Sequence, residues 1–153
     1  MKGKKGLIVG VANKMSIAYG IAEQLKNAGA QLAFTYLNDA IKKRVEPIAA
    51  ELGSDKVYEL DVNNPSHLGA LAPRLEKDFG KIDFVLHAVA FAPKEALEND
   101  FLSTSKEAFD IALGTSVYSL VSLTRAVLPV LKGELASLLL AILVGQSLCR
   151  IIM

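Results

Sequence analysis

The stretch Gly6-Leu-Ile-Val-Gly10-Val-Ala-Asn-Lys-Met-Ser16-Ile-Ala-Tyr-Gly20 contains the pattern that decides the fold. An apolar run that ends in glycine predicts a buried strand, and the small and polar residues after it predict a turn. The apolar spacing from Ser16 onward predicts a helix that ends at Gly29. Strand, turn and helix in this order are the opening unit of an α/β domain.

The turn between that strand and that helix has the parts of a phosphate-binding loop, although its spacing is not the usual G-x-G-x-x-G. Gly10 allows close approach of the backbone, and Ser16 offers a hydroxyl and an amide at the start of the helix. Gly20 is expected to let the helix lie close to the strand. From spacing alone, a strand-turn-helix without a ligand is an equally good interpretation.

The rest of the chain alternates short apolar runs with longer helical patterns. This alternation predicts an α/β fold, a doubly wound parallel sheet with helices on both faces. Asn64 or Ser66 can cap the third helix. The strands are expected at 6–10, 31–36, 56–61, 81–87 and 138–144. The helices are expected at 16–29, 39–52 and 65–79, with a long helix or a pair of helices at 105–131.

Length and composition restrict the classes of function. A chain of 153 residues is long enough for one domain with a core. Its formal net charge of +1 gives no electrostatic case for nucleic acid or an anionic membrane. The apolar stretch 135–148 contains Gly145, Gln146 and Ser147 and is shorter than the roughly 20 residues of a membrane span. Cys149 is the only cysteine, which fits a reducing cytoplasm.

Other catalytic centres find no support in the sequence. Its two histidines and one cysteine are not clustered, so no metal site is expected. His67 and His87 fall on separate elements and no nucleophile elbow accompanies them, which argues against a hydrolytic triad. His87 ends the fourth predicted strand, and we interpret it as a packed or solvent-touching residue without a catalytic role.

Five separated motifs together resemble one family. They are Gly10-Val-Ala12, Ser16-Ile-Ala-Tyr-Gly-Ile-Ala22, Leu32-Ala-Phe-Thr-Tyr36, Asp61-Val62 and Phe91-Ala-Pro93. In order and spacing they resemble the bacterial enoyl-acyl-carrier-protein reductases of the short-chain dehydrogenase superfamily, over residues 1 to about 133. The resemblance implies a Rossmann-like fold and NADH as cofactor. It also implies an enoyl substrate carried on acyl-carrier protein, a cytoplasmic location and a homo-oligomer.

The resemblance also implies roles for individual residues. The turn at Gly10 and the pair Ser16-Ile17 would hold the pyrophosphate, and Leu37 would lie beside the adenosine. Asp61 and Val62 would bracket the adenine, with the carboxylate accepting from the exocyclic amine. Val89 would line the cofactor, and Ala92 would contact the substrate.

Two of these assignments leave alternatives open. The alternative for Asp61 is a capping or turn aspartate after the third strand. No acid ends the second strand, where many dinucleotide folds bind the ribose 2′-hydroxyl. Lys42, Lys43 and Arg44 could meet a 2′-phosphate or simply form a solvated helix face. The resemblance favours NADH over NADPH, and the residues do not decide between them.

The family resemblance places the catalytic residues outside residues 1 to about 133, the part of the chain that resembles the family. In the family a tyrosine stabilises the enolate oxygen and a lysine seven positions later orients the nicotinamide ribose, and both follow the fifth strand. Tyr36 has Lys43 seven positions on, but it ends the second strand on the adenosine side. We therefore expect a reductase by family, with weak NADH binding and no turnover by this chain. The alternative is a non-catalytic NAD-binding or structural remnant.

The resemblance ends abruptly after Gly133. Residues 134–153 are an apolar tail, and reading from Leu135 in a shifted frame permits family-like sequence. For example, codons for Arg150-Ile-Ile-Met153 can contain codons for His-Tyr-Asn. We therefore expect a dinucleotide-binding half over 1–133 and a frameshifted tail over 134–153, so that the fold is truncated after about the fifth strand.

Overall fold

A computed structural model describes residues 1–133 and the backbone of 138–140. Five parallel strands form one sheet in the order β3-β2-β1-β4-β5. The strands are β1 (Lys5–Val9), β2 (Gln31–Tyr36), β3 (Val57–Glu59), β4 (Phe84–His87) and β5 (Leu138–Leu140). The helices are α1 (Ile17–Asn27), α2 (Asp39–Glu51), α3 (Pro65–Phe79), α4 (Lys94–Glu98), α5 (Lys106–Leu113) and α6 (Ser119–Val127).

Alternation along the strands divides the core between the two faces of the sheet. Leu7 and Val9 of β1 belong to one buried cluster with side chains of α3 and α6. Ile8, between them, belongs to a second cluster with side chains of α1 and α2. Because successive side chains of a strand point to opposite faces, both faces are covered by helices. The predicted doubly wound parallel sheet is confirmed.

The predicted elements agree with the structure in type, and several differ in their ends. β3 and β4 are shorter than the predicted strands at 56–61 and 81–87. The predicted helix at 105–131 is interrupted by a π-helical turn at Gly114–Tyr118 and ends in a 3₁₀ turn at Leu128–Val130. The helix α4 and a 3₁₀ turn at Phe101–Ser103 were not predicted. Of the tail expected at 134–153, residues 134–137 and 141–153 lie outside the described residues.

Two predicted helix ends are confirmed by their geometry. Gly29 follows α1 with φ of +88°, a conformation in which glycine has no steric penalty. Asn64 is the N-terminal cap of α3, because its side chain accepts from the N–H groups of Ser66 and His67.

The helical stretch Lys106–Val130 is long and apolar enough to cross a membrane by length and composition. Its inner side packs on the sheet, where Leu123 and Val127 are fully buried. The core helices of α/β proteins meet the same length and composition criteria.

Candidate functional site

A cleft of about 260 Å³ opens where the strands end at their carboxyl termini. This edge is where open α/β sheets bind ligands, because the loops there diverge to either face of the sheet. The cleft is lined mainly by residues that follow four strands, together with the helical residues Ile41 and Thr115: Gly10, Val11 and Ala12 follow β1, Leu37 follows β2, Leu60, Asp61 and Val62 follow β3, and Ala88 to Phe91 follow β4.

Gly10 brings the first turn against the end of β4. Its φ of +108° is a backbone conformation that residues with a Cβ rarely adopt. A Cβ at this position would overlap the carbonyl group of Ala88. The turn therefore requires glycine, and the absent side chain leaves the floor of the cleft as bare backbone.

The N-terminus of α1 has no side-chain cap. Ser16 stands at the cap position, but its hydroxyl donates to the carbonyl of Asn13 at 2.5 Å rather than accepting from the helix. The helices α2, α3 and α5 are each capped by a side chain, from Asn38, Asn64 and Ser105. The N–H groups of Ile17 and Ala18 have no acceptor among the described residues. Such a terminus is suited to an anion.

The structure brings together five of the predicted site residues: Gly10, Leu37, Asp61, Val62 and Val89 all line the cleft. Ser16 and Ile17 line a separate groove along the outer side of α1. Ala92 is buried and does not line the cleft, whereas its neighbour Phe91 does.

Gly20 does not have the role expected from the sequence. It is exposed, and a Cβ there would meet no atom within 4 Å. Ala18 and Ala22 are the α1 residues that are buried in the core. The prediction was wrong because the helix turns its alanines to the sheet and leaves the glycine on the opposite side.

Asp61 closes a turn and still faces the cleft. Its Oδ1 accepts from the backbone N–H of Asn63 at 2.8 Å, and its own N–H donates to His67 Nδ1 at 3.1 Å. Its Oδ2 has no hydrogen-bond donor within the part of the chain that the structure describes. The turn role is therefore present, and it leaves one carboxylate oxygen for a ligand donor.

The wall after β2 is apolar and aromatic. Leu37 is half exposed and lines the cleft beside Tyr36 and Ile41. The Lys42 ammonium lies 5.5 Å from the centre of the Tyr36 ring, and its Nζ is 3.8 Å from Glu46 Oε1. This wall offers flat apolar contact, and the one basic group beside it is already engaged within α2.

The π-helical turn holds two separate parts of the cleft wall, and sequence reasoning missed it. The Asn63 side chain donates to Thr115 Oγ1 at 3.0 Å, after the loop that follows β3. The Phe91 N–H donates to Ser116 Oγ at 3.0 Å, in the loop that follows β4. An adjacent Thr-Ser pair inside an apolar helical pattern is the only signal, and it does not indicate an extra residue in the turn.

His87 is a packed residue, as interpreted from the sequence. It is fully buried, and its Nε2 lies 2.7 Å from Ser119 Oγ. Its Nδ1 has no hydrogen-bond partner among the described residues. Burial lowers the pKa of the imidazole below its ordinary value. In the described residues, no three His, Cys, Asp or Glu side chains are grouped to hold a metal ion.

Sequence comparison connects this cleft with one family. The family profile described as Enoyl-(Acyl carrier protein) reductase matches residues 10–149, which extends beyond Gly133, where the resemblance was expected to end. The enoyl-[acyl-carrier-protein] reductase [NADH] of Aquifex aeolicus is 46% identical over 134 residues, 88% of this chain and 50% of that protein. The corresponding protein 1 of Rhizobium meliloti is 49% identical over 119 residues, 78% of this chain and 44% of that protein.

Solved structures agree with this relationship. The crystal structure of the Aquifex aeolicus enzyme superposes with a TM-score of 0.87 at 45% identity, covering 91% of this chain and 55% of that one. The Anaplasma phagocytophilum reductase, crystallised in complex with NAD, superposes with a TM-score of 0.81 at 38% identity, covering 85% and 50%. The chain spans about half the length of the relatives it matches. From its profile match and its sequence identity to these relatives, the chain belongs to the enoyl-(acyl carrier protein) reductase family.

Proposed function

We propose that this chain binds NADH in the cleft and forms the cofactor half of an enoyl-acyl-carrier-protein reductase of fatty-acid synthesis. The observation that carries the proposal is the pairing of a glycine cradle at Gly10 with an uncapped N-terminus of α1. A dinucleotide needs backbone that its pyrophosphate can approach closely, together with N–H groups that face it. Relatives that match the chain have names that specify NADH.

The pyrophosphate side of the proposed site consists of Gly10, Ser16 and Ile17. The free N–H groups at the start of α1 would donate to phosphate oxygens, and the positive end of the helix dipole would favour their charge. Ser16 and Ile17 line the outer groove rather than the cleft, so the pyrophosphate would lie where the two meet at the start of α1.

The adenosine side consists of Leu37, Asp61 and Val62. The open Oδ2 of Asp61 would accept from the exocyclic amine of adenine, and Val62 and Leu37 would contact the ring and ribose. Val89 would line the nicotinamide half. Ala92 would contact the substrate, although it is buried and its neighbour in the chain, Phe91, is the residue that lines the cleft.

Bound NADH would supply the hydride that reduces the double bond of a 2-enoyl thioester. The described residues bind and orient the cofactor and contribute no catalytic pair at the cleft. Tyr36 does line the cleft, but its neighbouring cation is Lys42, and both lie on the adenosine side. We propose that the chain by itself does not turn over. We also propose an acyl-carrier-protein-bound substrate, a homo-oligomer, a cytoplasmic location, and no nucleic-acid or membrane partner.

Titration of the 153-residue chain with NADH, followed by calorimetry, tests the proposal. We expect saturable binding to wild type, weakened about fivefold to tenfold in Asp61→Ala because one hydrogen bond to the adenine is lost. Asp55→Ala is the matched control, since Asp55 is exposed and pairs only with Lys56. Absence of binding to wild type, or equal loss in both variants, contradicts the assignment.

The alternative is a chain that binds NAD without catalysis or is only a structural remnant. The NADH titration separates a chain that binds the cofactor from a structural remnant. Oxidation of NADH in the presence of a crotonyl thioester tests the absence of catalysis, and clear turnover by this chain would refute the proposed division of labour. The frameshift proposed for 134–153 has its own test in the coding nucleotides. They must spell family-like sequence in the shifted frame.

A further inference from the structure

The buried pair of His87 and Ser119 lies beneath the cleft and has no part in the binding just proposed. Both side chains are shielded from solvent, with 0% and 1% of their surface exposed. Buried polar atoms usually have at least one hydrogen-bond partner, yet His87 Nδ1 has none in the described residues. Burying such a polar pair costs free energy, so core packing alone does not explain why it is present.

The direction of the hydrogen bonds follows from the single hydrogen of the Ser119 hydroxyl. That hydroxyl donates to the carbonyl oxygen of Thr115 at 2.6 Å. Its oxygen therefore accepts from His87 Nε2, at 2.7 Å, and His87 is the neutral tautomer protonated on Nε2. The chain of donors runs from the end of β4 into the helix.

This series of hydrogen bonds ends on the π-helical turn. The Ser119 N–H bonds to the carbonyl of Gly114, five residues earlier, which is the π-helical pattern. In a regular α-helix it would bond to Thr115 instead. The Ser119 hydroxyl takes that place, so the extra residue in the turn is stabilised by a side chain whose position is held by His87.

The π-helical turn also contacts two parts of the cleft wall. Thr115 lines it and receives the Asn63 side chain, next to the Asp61-Val62 pair. Ser116 bonds to both the N–H and the carbonyl of Phe91, at 3.0 and 3.1 Å. Without the π-helical turn, the residues after it would rotate relative to those before it, and Thr115 and Ser116 could not both keep these partners.

We propose that His87 is a positioning residue: through Ser119 it stabilises the π-helical turn and thereby the positions of Asn63 and Phe91 in the cofactor cleft. The inference rests on the proposed NADH site for its functional consequence. Its structural part concerns the chain without cofactor. The structural part and the proposed NADH site can therefore be contradicted separately.

The structural part is tested by amide NMR of the 153-residue chain without cofactor. Ser119→Ala and His87→Leu should shift the Asn63 and Phe91 amides, and His87→Gln should restore them because its side-chain amide can still donate to Ser119. Thr124→Val is the matched control. It removes a hydroxyl that bonds within the same helix to Leu120 and does not contact His87.

The functional part is tested by NADH affinity, measured where each variant is fully folded. Ser119→Ala should raise Kd about fivefold, the effect of roughly one hydrogen bond. His87→Gln should stay near wild type. Leu123→Ala, a buried truncation in the same helix, should lower stability and leave Kd within about twofold, because it keeps the Ser119 hydroxyl and its hydrogen bonds to His87 and Thr115.

Unchanged amides in Ser119→Ala and His87→Leu would overturn the inference. So would an equal rise of Kd in Leu123→Ala, since the effect would then follow stability alone. If wild type does not bind NADH, the proposed function fails, and the amide shifts by themselves decide whether His87 positions the cleft.

Discussion

The two ends of the sheet differ in how completely their polar groups are hydrogen-bonded within the protein. At the amino end, the buried Asp83 carboxylate accepts from the Lys5 N–H at 2.9 Å, from Lys4 Nζ at 3.0 Å and from Lys132 Nζ at 3.3 Å. The Lys5 ammonium donates to the Phe79 carbonyl at 2.7 Å. Each of these groups is satisfied within the protein, so this end contributes to stability and presents nothing to a ligand.

At the carboxyl end, the chain leaves groups open instead. The first N–H groups of α1 lack acceptors among the described residues, Asp61 keeps one oxygen open, and Gly10 provides bare backbone. Open polar groups around an apolar cleft cost stability unless a ligand satisfies them. The two ends therefore differ in how far their polar groups are hydrogen-bonded within the described residues, and the proposed cofactor site lies at the end where this bonding is incomplete.

The largest effect is expected from Gly10→Ala, at the carboxyl end. The new methyl overlaps the Ala88 carbonyl and the φ of +108° is strained, so the turn must move away from the cofactor. We expect NADH affinity to fall about a hundredfold, equivalent to about 2.7 kcal/mol. Calorimetric titration measures it, and affinity near that of wild type would show that the cleft does not depend on this backbone.

At the amino end, Asp83→Asn should affect stability rather than NADH affinity, the reverse of Gly10→Ala. The amide removes the charge between two lysines, and we expect stability to fall by about 2 kcal/mol while NADH affinity is unchanged. Urea denaturation measures the first quantity. Asp55→Asn is the control, because its pair with Lys56 is exposed and contributes about 0–1 kcal/mol. A parallel loss of NADH affinity would mean that the two ends are coupled.

The next prediction concerns pH and the buried His87. Its pKa is lowered in the folded chain, whereas in the unfolded chain it protonates near 6.5. Below about 6.5 the unfolded state therefore binds a proton that the folded state does not. Stability should decline as pH falls from 6.5 toward the folded-state pKa, and His87→Gln should decline less. Equal slopes of the two proteins in urea denaturation between pH 7 and 5 would contradict the burial argument.

The smallest effect should come from Gly20→Ala, in the same turn-helix unit as Gly10. Here φ is helical and the new methyl meets no atom within 4 Å. The substitution should stabilise α1 by about 0.5–1 kcal/mol and leave NADH affinity unchanged. Thermal unfolding measures the gain. If Gly10→Ala weakens NADH binding and Gly20→Ala does not, then glycine is required at position 10 for its backbone conformation and is not required at position 20.

The site could be predicted only in part. Gly10, Leu37, Asp61, Val62 and Val89 were assigned from the family resemblance, and they line one cleft because the ends of parallel strands meet at one edge of the sheet. The roles of Thr115 and Ser116 were missed, since an inserted residue in a helix leaves no trace in hydrophobic periodicity. Gly20 was misassigned because a motif spacing does not say which side of the helix faces the sheet.

The sequence by itself determined the order of strands and helices along the chain, their packing into a doubly wound parallel sheet, and the family. These follow from local apolar periodicity and from short motifs, which are properties of neighbouring residues. Only the tertiary structure decided that the first turn crosses β4 so closely that glycine is required, and that His87 supports the cleft through Ser119. Both depend on contacts between residues far apart in the chain, and such distances are set only when the sheet assembles.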